Sequence, residues 1–195
     1  MRLVKVFCVV LATAFTFSAM ATTAVSAHTL KSGFALVSLE GEGPQLFIFL
    51  AGHLLCTKLD GHEHTTVPLS LTLKLTVKYT GCTMTARGIT AKPDEPIAAL
   101  YELSADGTVT LLSEVVILAS LEGSNCTILV PAQGPLSTVK YREVIREKSL
   151  PAILMLASIK NVLTSATGAG CQETFKNSAT GSIDVNSFFE HFWWV

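Results

Sequence analysis

The chain has 195 residues and a formal net charge of −1, with 49% hydrophobic and only 15% charged residues, a balance that excludes an intrinsically disordered chain. At roughly 150 residues per domain the length fits one domain with a sizeable core. The 14 Lys and Arg residues are scattered, so the clustered positive charge of a nucleic-acid binder is missing.

Arg2 and Lys5 open the chain, an uncharged and mostly apolar run follows from Val6 to Phe17, and small residues dominate through Ala27. This is the pattern of a secretory signal peptide over residues 1–27. The apolar run is well short of the ~20 residues that span a bilayer, which makes a permanent anchor the poorer reading. Val25-Ser26-Ala27 sets the expected cut after Ala27, and Ala19-Met20-Ala21 offers an earlier one. Cys8 sits inside the apolar run with no small residue before it, so it does not read as a lipid-attachment site. Removing Arg2 and Lys5 leaves 12 basic against 15 acidic residues. Beyond Ala27 no apolar run is long and unbroken enough for a transmembrane segment, so residues 28–195 read as a single secreted or cell-envelope β domain.

The mature chain is divided by Gly, Pro, Asn and Asp into short segments rich in Val, Ile, Leu, Thr, Phe and Tyr, a composition that suits strands. Strands are expected at Phe34 to Leu39, Leu46 to Leu50 and Leu54 to Leu59. From Leu69 to Thr80 the odd positions Leu69, Leu71, Leu73, Leu75, Val77 and Tyr79 alternate with Ser, Thr and Lys, and a period of two puts the apolar set on one face. Lys92 to Pro96 forms a loop between two halves. Ala98 to Leu103 and Thr108 to Leu118 flank Ser104-Ala105-Asp106-Gly107, whose Asp-Gly predicts a hairpin because Gly accepts positive φ cheaply. Further strands are expected at Cys126 to Val130, Leu136 to Tyr141 and Gly181 to Phe188. The mixed-sign run Arg142 to Lys148 reads as a solvated loop or sheet edge. Ser149 to Thr164 fits a helix capped by Ser149 and equally fits an alternating strand. The expected fold is all-β, an antiparallel sandwich or barrel of about nine to eleven strands.

Once Cys8 leaves with the signal peptide, Cys56, Cys82, Cys126 and Cys171 form an even set in an oxidising compartment, where two disulfides are expected. Of the three pairings, Cys56 with Cys82 and Cys126 with Cys171 is favoured because each joins neighbouring segments within one half of the chain. In the chain-entropy model each bridge would stabilise the fold by roughly 3 to 4 kcal/mol. No two of these cysteines have the close spacing of a structural zinc site.

Tyr79-Thr80-Gly81-Cys82, Cys126-Thr-Ile-Leu-Val-Pro131-Ala-Gln133, Leu136-Ser-Thr-Val-Lys-Tyr141, Gly168-Ala-Gly-Cys171 and Thr180-Gly181-Ser-Ile-Asp-Val185 together resemble a group of uncharacterised secreted Thr-rich β proteins of actinobacteria. The resemblance covers roughly Leu54 to Val185, closely in the second half and loosely in the first. It implies that Pro151 to Thr164 is a strand, and it implies no activity. Ile153-Leu-Met-Leu156, the histidines near Cys56 and the aromatic tail Phe188 to Val195 depart from the group's pattern.

Asp60-Gly61-His62-Glu63-His64, with His53 nearby, is the sharpest polar cluster. Alternate histidines on an extended chain share a side and neutral imidazole suits Zn(II) or Cu(II), so His53, His62 and His64 are the candidate metal ligands. The competing reading is a solvated polar turn. Nucleophile-elbow, zinc-protease and phosphate-loop motifs are missing, and no cofactor is expected. Acid–base pairs could still be built from Asp60, Asp94, Glu95, Asp106, Glu114 or Asp184. Phe188, Phe189, Phe192, Trp193 and Trp194 crowd the last eight residues. They read as core packing or as a sticky surface in which Trp193 and Trp194 would bind a sugar, lipid headgroup or protein. The leading expectation is a non-catalytic binding or envelope/structural module with a cell-wall, carbohydrate or protein partner. The alternative is a hydrolase or metal-dependent enzyme using carboxylates or the histidine cluster.

Overall fold

The computed structural model describes residues 30–32, 36–41, 43–64, 69–70, 72–94, 96–136, 139–145, 151–190 and 192–194. The expected signal peptide lies outside them, as do Phe34 and Ser149. The described residues form strands and no helix. In chain order these are β1 (Leu30–Ser32), β2 (Leu36–Gly41), β3 (Gln45–Phe49), β4 (Gly52–His64), β5 (Leu69–Ser70), β6 (Thr72–Ala86), β7 (Ile89–Ala91) and β8 (Ile97–Ser104). They continue with β9 (Val109–Leu111), β10 (Val115–Leu121), β11 (Ser124–Val130), β12 (Lys140–Ile145), β13 (Pro151–Thr167), β14 (Phe175–Glu190) and β15 (Phe192–Trp194). The strands expected from sequence are present in whole or part except that at Leu136 to Tyr141, which is displaced; β5 and β9 fall inside expected strands, and β1, β7 and β15 are further pieces of three residues.

Twelve strands form one antiparallel sheet in the order β10-β11-β13-β14-β2-β4-β6-β8-β9, with β12 on β13, β3 between β14 and β4, and β7 on β6. The sheet curls into a half-barrel. Its open side is stitched by irregular chain. Gln133 bridges Leu111, Leu136 N–H donates to Val109 O, Val139 N–H donates to Gly107 O, and Asp94 N–H donates to Leu118 O. These bonds occupy edge groups that would otherwise invite pairing with another chain.

Alternation sets which face is buried. On β6 Leu73, Leu75, Val77 and Tyr79 are buried, while Thr72, Lys74, Thr76 and Lys78 are exposed. The parity then changes, and Cys82, Met84 and Ala86 are the buried residues. Gly81 makes the change with φ +64°, opposite Thr57, where β4 shifts its own parity between Cys56 and Leu59. A β-carbon at Gly81 would strike Thr57 Oγ1, so the paired irregularity depends on glycine. It keeps Cys56 and Cys82 face to face in the ladder and inside the core, where they form one disulfide. Cys126 and Cys171 form the other, so the pairing favoured from sequence is the one present.

Three expected elements differ in extent. Thr108 to Leu118 is broken at Leu112–Glu114, where Leu112 N–H donates to Leu100 O and Ser113 Oγ accepts from Leu100 N–H, turning the chain out of β9's line into β10. Leu136 to Tyr141 is displaced to β12, because Gln133, Leu136 and Val139 bond across the open side of the half-barrel. Ser149 to Thr164 resolves as a strand. β13 is paired with β12 and β11 along one edge and with β14 along the other, so ladder bonds on both sides decide what periodicity could not. Its run Ala152 to Met155 is buried on both faces. Ile153 and Met155 join the central core, whereas Ala152 and Leu154 do not. β15 lies against β13 as part of a second sheet, three-stranded, in the order β15-β1-β5.

Candidate functional site

Ladder register fixes where the sequence candidates stand. His53 and His62 are both exposed on β4 but nine positions apart, about 30 Å along a strand at ~3.3 Å per residue. His53 is opposite Ile48 and Thr85, His62 is opposite Ser38 and Thr76, and His64 is opposite Leu36. The fold therefore keeps His62 and His64 close in the chain and does not bring His53 to them. Among the described residues no three His, Cys, Asp or Glu side chains converge as a metal site.

The acidic candidates are dispersed. Asp60 stands between Glu40 and Lys78 in one cross-strand row. Asp106 serves its hairpin turn: its Oδ1 accepts from Thr108 N–H at 2.9 Å and Thr108 Oγ1 at 2.6 Å, and these bonds hold its carboxyl below the usual range. Asp94 and Glu114 are exposed in separate loops, Glu95 lies outside the described residues, and Asp184 lines a groove described below.

The concave interior is filled by the protein's own side chains. Tyr79 donates its hydroxyl to Tyr101 at 3.2 Å within the core, and Phe47 meets the Tyr79 ring edge-on at 5.0 Å. Burial pushes both phenols above their ordinary pKa of 10.0. A cavity bounded by Tyr79, Tyr101, Met155 and Ile183 among others measures about 30 Å³, enough for a water molecule and far below the ~300 Å³ of a small ligand site.

The outer face is different. A groove of about 470 Å³ runs over β3, β14, β13 and β12, lined by Pro44, Leu46, Lys140, Leu156, Ala157, Ser158, Asp184 and Val185. The register explains it. β14 pairs with β3 up to Asp184 and with β2 only from Ser187 onward, so the ladder is interrupted over Val185 and Asn186. Asp184 is opposite Ser158, and Lys140 is opposite Leu156. Leu156 is 41% exposed, and beside the groove Ile48 is 45% exposed and Leu55 is 37% exposed.

The chain matches no family model, no curated protein and no solved structure. Its candidate sites thus rest on geometry alone. Trp193 and Trp194 occupy β15 opposite Lys31 and Leu30, which ties the aromatic tail to β1. The groove was missed by reading the sequence, because its walls come from four strands as far apart as Leu46 and Asp184. Its one sequence signal is Ile153-Leu-Met-Leu156, an apolar run too continuous for a strand with one wet face.

The two disulfides suit a protein outside the reducing cytosol, and no helix among the described residues is long and apolar enough to cross a membrane.

Proposed function

We propose that the chain is exported through a signal peptide at residues 1–27 and acts in the cell envelope or outside the cell as a non-catalytic binding module. One observation carries the reading. The half-barrel fills its interior with its own side chains around a cavity of about 30 Å³, while its outer face holds a groove of about 470 Å³ beside exposed Ile48 and Leu55. A pocket in the ~300–1,000 Å³ range is the size at which ligand recognition occurs. The resemblance to secreted Thr-rich β proteins of actinobacteria supports the same compartment.

Two measurements test the reading. Expressed in a bacterium of that group, the protein is expected in the envelope or supernatant fraction with His28 as its first residue. Retention in the cytoplasm with an intact first segment overturns the export reading. Purified mature protein is expected to co-sediment saturably with isolated envelope material without altering it. A protein that releases soluble fragments from that material, or that retains a stoichiometric metal ion without an affinity tag, would instead be the hydrolase or metal-dependent enzyme.

A further inference from the structure

We propose that the outer groove binds a short extended ligand with an ammonium at one end and a carboxylate at the other, of about tripeptide length; this deepens the binding-module reading and rests on it. The groove carries one charge of each sign on its walls, Asp184 on β14 and Lys140 on β12. The ion pair between Lys74 and Glu102 involves neither. Both charges are exposed and face the same concavity, so a ligand that supplies the opposite charges gains at both ends.

Length follows from the register. Asp184 is opposite Ser158 on β13, and Lys140 is one strand farther and two residues along, opposite Leu156. Two interstrand spacings and a two-residue offset separate the two Cα positions by about 12 Å. Three extended residues span about 10 Å between their terminal charges, leaving the flexible Lys140 side chain to close the remainder. Between the charges lie Leu156 and Ser158 of β13, an apolar side chain and a hydrogen-bonding hydroxyl, and Leu46 flanks Asp184 on its other side. A ligand backbone with small apolar side chains meets each of these. A second copy of the chain is the poorer occupant, because face-to-face pairing would set one hollow over another.

The test is an amide NMR titration of the mature protein with trialanine bearing free ends, against acetyl-trialanine-amide, which has the same backbone and no terminal charges. Saturable shifts are expected at Lys140, Ser158 and Asp184 and their neighbours, with a dissociation constant on the order of 1 mM or below. The capped peptide is expected to bind at least tenfold more weakly. Asp184→Asn and Lys140→Gln, each an exposed substitution that leaves the melting temperature unchanged, are expected to weaken trialanine at least fivefold, and added salt to weaken it further. No saturable shift up to about 10 mM, equal binding of the capped peptide, or unchanged binding by both variants overturns the proposal. Envelope co-sedimentation separates this proposal from the reading it rests on. If wild type and both variants co-sediment equally, the module stands and the groove is not its site.

Discussion

A hydroxyl removed from water costs free energy unless a partner replaces the water. Thr164 and Ser187 are fully buried, and Thr164 Oγ1 and Ser187 Oγ make no hydrogen bond. Gln45, equally buried, fares better, since its amide donates to Gly43 O at 2.8 Å. Thr164 is held where a β-carbon on Gly181 would approach its Cγ2 to 3.2 Å, so its methyl fills space that its hydroxyl does not need. Thr164→Val keeps that shape and is expected to raise stability by about 1 kcal/mol, seen as a higher urea midpoint at unchanged slope. A lower midpoint would show that the hydroxyl has an accepting group in the folded protein.

Turns and strand edges show how far local chemistry was legible. Asp106-Gly107 was readable because Asp holds the turn with its own carboxylate and Gly107 adopts φ +88°. Two other hairpins escaped notice, Arg87-Gly88 between β6 and β7 and Glu122-Gly123 between β10 and β11, each a two-residue loop with both φ values positive. Their first residues have no preference for that conformation, so only the glycine signals the turn. Glu122→Asn is therefore expected to stabilise the protein by about 0.5–1 kcal/mol, measured by thermal or urea unfolding. At β13 the ambiguity had a physical source. A strand buried on both faces carries apolar residues continuously, and a continuous run has no period to read. The outer-face residues Ala152 and Leu154 are buried outside the central core, on the strand that β15 contacts. Removing residues 192–195 takes β15 away, and the exposed apolar area is expected to cost about 2 kcal/mol or more. A melting temperature unchanged by the truncation would mean that the tail contributes no packing, and Trp193 and Trp194 would then be the residues to examine for binding.

At the scale of the molecule, the all-β class, both disulfides and the inner face of β6 were legible because each depends on composition or on spacing within one segment. The curl, the strand order and the groove were not, because they depend on pairings such as β2 and β3 with β14, more than a hundred residues away in the chain. That closed-in architecture makes one global property follow from three residues. The chain has three tyrosines, and all three are pushed upward in pKa: Tyr79 and Tyr101 by burial in the core, and Tyr141 by burial and by the nearby charge of Asp106. In the unfolded chain each ionises near its ordinary value of 10.0. Below that pH both states hold their phenol protons and the folded state keeps its full advantage. Above it the unfolded chain releases protons that the folded state retains, so stability falls with rising pH by up to about 1.4 kcal/mol per pH unit for each tyrosine, or about 4 kcal/mol per unit for the three. Alkaline titration is therefore expected to show little tyrosinate absorbance while the β circular dichroism persists, and then the appearance of all three tyrosinates together with loss of the β signal. If full tyrosinate absorbance develops near pH 10 with the β signal intact, the phenols are open to solvent and the half-barrel interior is not sealed as its side chains indicate.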